Sequence, residues 1–523
     1  MKAFLQRFAL LVSGVLNGFE RLVFKGRLTQ LYSPEGMNIL LGANRVNRSD
    51  FKTYAAQVTG EVLEASLVSR AKEMERFRYL NSSSVSKEEV AREFAARNQV
   101  QEGLVCVLQC VEPCWTFDKS RSAEGALDIR GEHGKCSQLY HYYIHPKFGW
   151  MYVRLQTWFP FEIQVGLNGR EWLARQLDRD NIKYQRSDNK FLWVEDWQRA
   201  QELLNEQVQT DWVSELNALQ EQFHPLHPHH LGRMPLPYNW TAFQTEWATD
   251  VAFHSEQVLQ SYFDRWLRQA FLSFDSVDVL RFLGGSGRLT KNSSADVEST
   301  ISGSFEGRRI KHWVDQNSLK LYNHRNVLRA EETINNAKKI RVFRSSQTDP
   351  KWPPMWRELR RSVIDMPLRA QVGQEANERY LEALAGLAET RTVKELVEPL
   401  TRRVPEPRAK SAEPPRQMRG LNPLASEDAT LLEAISDPKW MIQGLRNRDL
   451  VAVFYPEESK DDKERRRRSS RVTRALRLLR AHGLLEKIPG THRYQVPDAA
   501  RITIHALLAV RNANPDELTT KAA

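Results

Sequence analysis

The spacing of apolar residues divides the chain into stretches of different period. The first hundred residues carry helical spacing: an amphipathic start continues through 19–28, Ser33-Pro34 breaks it, and 50–78 resumes it. After the polar break 81–84, Ser86 followed three residues on by Glu89 predicts a capped helix. From Gly103 the pattern becomes that of a sheet, with 103–110, 138–145, 150–157 and 161–167 rich in Tyr, Trp, Phe, Val and Ile. Asn168-Gly169 closes this run, and 170–180 and 196–222 read as helices. Trp247, Val251, Leu259, Phe263, Trp266 and Leu267 predict helix over 240–283, followed by a Gly-rich polar loop to about 303. Short strands follow at 309–314, 318–322 and 327–334, then helices at 356–366 and 373–388. No sequence repeat is evident.

These elements predict an α+β multidomain chain with antiparallel sheets in its body. Its segments are a mostly helical N-terminal region (1–100), an aromatic-rich α/β part (101–200) and a mixed helical and β-hairpin part (201–400). A Pro-rich basic linker (401–420), a C-terminal module (421–510) and a tail (511–523) complete it.

Composition adds the question of partners. The 523 residues hold 76 Lys+Arg against 65 Asp+Glu, a net charge of +11. Residues 401–523 contribute 24 basic and 16 acidic groups, a net of +8, and 463–480 alone hold nine basic residues and one acid. The excess is therefore local, and it points to a polyanionic partner for the C-terminal module. The only four cysteines, Cys106, Cys110, Cys114 and Cys136, exclude a disulfide scaffold. The apolar run 8–16 is too short to span a bilayer, so a soluble, cytoplasmic protein is expected.

In the C-terminal module Ser426 is placed to cap a first helix and Asn447 a second, Arg448 to Phe454. A third helix from Glu464 to His482 buries Val472, Ala475, Leu476 and Leu479 and lines its other faces with arginine. Gly483 ends it, and a hairpin turns at Pro489-Gly490. With RVTRALRLLRAHGLLEKIPGTHRYQV spanning the last helix and hairpin, 425–510 resembles the winged helix-turn-helix family. The resemblance implies that the third helix enters a DNA major groove while the hairpin touches the adjacent backbone. It assigns groove and phosphate contacts to Arg466, Arg467, Ser470, Arg471 and Arg474, and wing contacts to Thr491, His492 and Arg493. Nucleic acid, DNA ahead of RNA, is the expected partner, with a place on the nucleoid and a role in replication or in a mobile element.

In the body, Lys320 and Tyr322 share a face of one strand and Arg329 and Glu331 a face of the next. This Lys-x-Tyr … Leu-Arg-x-Glu hairpin is similar to a segment of some plasmid and phage replication initiators. Glu331, with Asp315, Asp250 or Glu246, has the chemistry to hold Mg²⁺ or Mn²⁺ against a phosphodiester, with Tyr322 as nucleophile, the basis of a nuclease or recombinase alternative. Tyr142, Trp150 and Tyr152 on aromatic strands are candidates for stacking unpaired bases, the basis of an RNA-binding alternative. Cys106 and Cys110 lie about 13 Å apart along a strand, too far to share an ion. A metal site from Cys114, His133 and Cys136 stays open. No phosphate-binding Gly-Lys-Ser/Thr loop is present.

Overall fold

The computed structural model describes residues 1–512 apart from 66, 122–124, 126, 225–235, 285–296, 305–306, 339, 346–352, 388–392, 407–416, 424, 438, 441–443, 458 and 460. The His-rich loop at 227–230, the polar loop after Gly284 and the middle of the Pro-rich linker lie outside the described residues.

In chain order the strands are β1 (Val12–Arg27), β2 (Phe77–Leu80), β3 (Gly103–Arg121), β4 (Leu127–His145), β5 (Gly149–Gln156), β6 (Ile163–Asn168), β7 (Tyr184–Ser187), β8 (Lys190–Val194), β9 (Asn239–Phe253), β10 (Glu298–Ser304), β11 (Gly307–Val314), β12 (Asn317–His324) and β13 (Val327–Ile334). All but the β7–β8 hairpin join one eleven-stranded sheet, ordered β10-β11-β12-β13-β9-β1-β6-β5-β4-β3-β2. Only β2 and β3 pair in parallel. The topology repeats where the sequence does not. β3 to β6 form a meander whose last strand returns beside β1, β10 to β13 form one whose last strand returns beside β9, and β1 pairs with β9 at the centre. One sheet thus crosses the boundaries expected at 100 and 200.

The helices are α1 (Lys2–Phe8), α2 (Pro34–Ala43), α3 (Phe51–Ala65), α4 (Val68–Glu73), α5 (Lys87–Arg97), α6 (Gly169–Arg179), α7 (Trp197–Val208), α8 (Trp212–Phe223), α9 (Glu256–Ser273), α10 (Ser276–Phe282) and α11 (Met366–Leu387). None of the described helices is long and apolar enough to cross a membrane. Ser86 caps α5 as expected, its side chain accepting from the Glu89 N–H.

The two central strands occupy stretches where helical spacing predicted helix. Gly14 and Gly18 account for β1. A Cβ on Gly14 would stand 2.0 Å from the Trp197 indole, and one on Gly18 2.8 Å from Leu204, so α7 approaches the strand only because these side chains are missing. β6 pairs with β1 only from Arg21 to Gly26, and α7 covers part of the edge left open. The Gln201 side chain there accepts from the Asn17 N–H (2.7 Å) and donates to its carbonyl (3.0 Å), replacing a neighbouring strand. Gly14→Ala is expected to cost about 1–3 kcal/mol, read as a lower Tm; an unchanged Tm would mean that Trp197 withdraws without penalty.

Beyond the sheet lie β14 (Arg341–Arg344) and β15 (Met355–Glu358), where helix was expected from 356, then α12 (Val393–Thr401). The linker's flanks pair as β16 (Val404–Pro405) and β17 (Gln417–Met418). The C-terminal module comprises α13 (Ser426–Ser436), α14 (Asn447–Phe454), α15 (Asp462–Ala481), the strand pair β18 (Glu486–Lys487) and β19 (Tyr494–Gln495), and α16 (Asp498–Asn512). Leu432, Ile435, Leu445, Leu450, Val472, Leu476, Leu479, Leu484, Ile504 and Leu507 form its core. Leu445, just before α14, exchanges both backbone hydrogen bonds with Tyr494, adding a third extended segment to the hairpin.

Candidate nucleic-acid interface and a buried ionic cluster

The amphipathic spacing of α15 seats Val472, Leu476 and Leu479 in the module's core and turns its arginines outward. Asp461 caps the helix through the Lys463 N–H, and acidic Asp462 and Glu464 fill the first turn, where the helix dipole favours them. Asn447 does not cap α14. The backbone N–H of Arg446 is taken by Asp449, and the Asn447 amide instead donates to the Ser469 carbonyl (3.0 Å) and the Thr473 hydroxyl (2.9 Å), while Ser469 donates back to Asn447 Oδ1 (3.0 Å). These bonds fix the angle between the two helices. The α13 helix begins one residue earlier than a Ser426 cap requires, with Ala425 at the cap position.

Arg466, Arg467, Ser470, Arg471, Arg474 and Arg477 are exposed. Arg467 stands 3.7 Å from Glu464 and Arg471 3.8 Å from Glu427, surface pairs that compete weakly with another anion. No carboxylate pairs with Arg466, Arg474 or Arg477 among the described residues. Arg468 belongs elsewhere: its guanidinium lies 4.8 Å from the centre of the Tyr455 ring and donates to the Glu457 carbonyl (2.7 Å). In the hairpin, Gly490 takes the turn with φ +71°. Thr491 holds the turn, donating to the Ile488 carbonyl (2.9 Å) and accepting from the Arg493 N–H (3.1 Å), and His492 beside it is exposed.

The residues expected to be catalytic sit in a different setting. Register places Asp250, Arg329 and Tyr322 side by side on one face of β9, β13 and β12, with Glu331 and Lys320 one step along. Arg329 grips Asp250 through Nε (2.5 Å) and Nη2 (2.8 Å), Glu20 through Nη1 (2.9 Å), and the Asn189 carbonyl in the β7–β8 turn (2.9 Å). Arg170, fully buried at the start of α6, reaches Asp250 at 3.1 Å and the Ala248 carbonyl at 3.0 Å. Lys320 bonds Glu331 and lies 3.8 Å from Glu246, and Tyr322 donates to Glu331 at 2.7 Å.

Burial alone would raise the Glu331 pKa, but Lys320, Arg329 and the hydrogen bonds from Lys320 and Tyr322 outweigh it and bring it down to about 2. Burial, with Glu331 beside it, pushes the Tyr322 phenol well above its usual range. The carboxylates Glu20, Glu246, Asp250 and Glu331 are each held by cations, and no group of three or more metal-binding side chains converges among the described residues. Asp315 is apart from them, in the β11–β12 turn with φ +47°. The cluster is a closed ion network built from Glu331, Tyr322, Asp250 and Glu246, with Glu20 and Arg170 as members that sequence spacing did not indicate.

Tyr142 is buried in the core beneath α5, whose Arg92 lies 3.8 Å from the Trp150 ring centre. Tyr152 bonds Gln164 at 2.6 Å. Of the three rings Tyr142 is buried, while Trp150 and Tyr152 are half-buried against the same core. Cys106 and Cys110 are buried thiols in the same core. Cys114 and Cys136 bring their sulfurs to 3.0 Å, but His133 pairs with Trp115 on the other face of the β3–β4 ladder, so the three do not assemble a metal site. Comparison with protein-family models, with curated proteins and with solved structures finds no match for this chain.

Proposed function

We propose that the chain is a nucleic-acid-binding protein that engages duplex DNA through a winged helix formed by 421–510, in a replication or mobile-element role. The observation that carries this reading is α15: one long helix, anchored by a buried apolar face, presents Arg466, Arg474 and Arg477 without carboxylate partners among the described residues. The order α13, Leu445 segment, α14, α15, β18, β19, with Leu445 bridged to Tyr494, supports the same reading, because it is the order in which a winged helix places its third helix and wing. Arginine suits the task, since its planar fork pairs with guanine edges or straddles phosphate oxygens. The cation-held carboxylates around Glu331, the burial of Tyr142 and the Arg92 guanidinium over the Trp150 ring give the nuclease and RNA readings no comparable support.

The test is a salt titration of the full chain on a labelled duplex. Arg466→Ala and Arg474→Ala should each weaken binding about 5- to 10-fold and make the slope of log affinity against log salt shallower by about 0.9 per lost phosphate contact. Arg179→Ala, on an exposed body arginine, should leave both unchanged. Equal affinity in all the variants, or no duplex binding at low salt, would remove the proposal.

A further inference from the structure

Two of the four cysteines, Cys114 and Cys136, bring their thiols into contact. Register sets Cys114 of β3 opposite Gly134 and Cys136 of β4 opposite Glu112, so the two lie on one face of the ladder as diagonal neighbours. Gly134 has no side chain to place across from Cys114, and the Cys114 sulfur stands 3.0 Å from that of Cys136. The pair is unequal. Cys114 is half-buried and reached by solvent, whereas Cys136 is buried and accepts a hydrogen bond from the Gln138 amide at 3.2 Å. Cys106 and Cys110, further back on β3, are core residues packed among Leu108, Phe94 and Tyr142. Neither Cys114 nor Cys136 belongs to an apolar core cluster among the described residues, so packing does not account for them.

Electrostatics separate the two thiols further. The hydrogen bond with Cys136, helped by the nearby Arg154 guanidinium, holds Cys114 below the usual thiol range against the effect of burial. The same bond, together with burial, raises Cys136. Burial pushes Cys106 up to about 12 and raises Cys110 as well. Of the four, Cys114 therefore combines solvent access, a nearby cation and a stabilised thiolate, the conditions that make a cysteine reactive.

We propose that Cys114 and Cys136 are a redox-active thiol pair, which hydrogen peroxide oxidises to an intramolecular disulfide. In the first step the Cys114 thiolate attacks one peroxide oxygen. An S–O bond forms, the O–O bond breaks, and the second oxygen leaves as hydroxide, which takes up the proton Cys114 released and becomes water. Cys114 is then a sulfenic acid. In the second step the Cys136 sulfur, already in contact, attacks the Cys114 sulfur. The S–S bond forms, the S–O bond breaks, and the hydroxide leaves with the Cys136 proton as a second water. The two thiols give up two electrons, and the peroxide is reduced by the same two. A disulfide holds its sulfurs about 2.05 Å apart, so the pair has only about 1 Å to close from its present contact. An external dithiol reverses the reaction by thiol–disulfide exchange. The bond ties β3 to β4 and shares no residue with α15, so it stands independently of duplex binding.

The test uses the full chain, reduced, freed of reductant and treated with a small excess of hydrogen peroxide. Thiols titrated after unfolding should fall from four to two. The intact mass should drop by two hydrogens, and peptide mapping without reductant should join the Cys114 peptide to the Cys136 peptide. Dithiothreitol should restore all four thiols. Cys136→Ser should stop at the sulfenic acid, which dimedone labels at Cys114, and Cys114→Ser should keep its three remaining thiols under the same treatment. Thiol counting and mapping are made on the parent chain, so the result does not depend on either variant folding. Four thiols surviving the peroxide, a bond that involves Cys106 or Cys110 or joins two chains, or Cys114 carried to sulfinic acid beside a reduced Cys136 would overturn the inference.

Discussion

Arg329→Met is expected to destabilise the protein by about 3–5 kcal/mol, the cost of removing one partner from a buried ion pair and leaving the other charge uncompensated. Arg329 is 1% exposed and touches two carboxylates and a carbonyl from three distant parts of the chain: Asp250, Glu20 and the β7–β8 turn. Its loss leaves Asp250 with Arg170 alone, and Glu20 with Asn189 and a distant Arg170, 3.8 Å away. Burial already raises the Glu20 pKa, so this carboxyl is poorly placed to lose a cation. The same principle makes the sign of a double replacement different. Arg329→Met with Asp250→Leu removes the pair together, and the second substitution should recover part of the loss, a coupling of about 0.5–3 kcal/mol in a double-mutant cycle. Urea denaturation measures both. A loss below about 1 kcal/mol for the single variant would show that Arg329 behaves as a solvated surface charge.

The hairpin that contributes most of this cluster was legible. β11, β12 and β13 are short and pair without a register shift, and the turn at Asp315-Gln316 takes positive φ at both residues, the tight turn that joins such strands. The two strands beside them were not legible. The β1–β9 ladder shifts register with Glu20 as an extra residue of β1 and with Phe243 as an extra residue of β9, and each bulge shifts the alternation of its own strand by one residue. Leu16, Phe19 and Leu22 then recur at a spacing that imitates a helix, as do Trp247 and Val251 in β9. The ionic cluster was half visible. Glu331, Tyr322 and Asp250 were named, but Glu20 reaches Arg329 across 309 residues, and an acid buried by a distant partner reads in sequence like any surface acid. Spacing likewise does not tell that these carboxylates are already held by Arg329, Arg170 and Lys320.

On the covered face of β13, Glu332 should make stability fall with rising pH. It is 1% exposed between Trp247 and Leu319, its Oε1 has no hydrogen-bond partner, and the charged groups facing it are Arg369 and Arg379 of α11. Burial raises its pKa from 4.5 to about 8, because the two arginines offset only part of the desolvation. Between those values the native state holds a proton that the unfolded chain has released. Stability therefore declines with pH by up to about 1.4 kcal/mol per unit across that window, and levels off above it. His312 and His141 act in the opposite sense lower down: burial brings both to about 4, so they add stability as pH rises to the ordinary histidine value of 6.5. The fall from Glu332 is accordingly clearest above pH 6.5. Glu332→Gln, which keeps the shape of the neutral acid, should match the parent only below about pH 4.5, and its advantage should grow by about 2 kcal/mol between pH 6 and pH 8, as the difference integrates over the window. Chemical denaturation of both proteins at a series of pH values reads this directly, and parallel curves from pH 6 to 9 would show that Glu332 is charged in the native state and paired with Arg369.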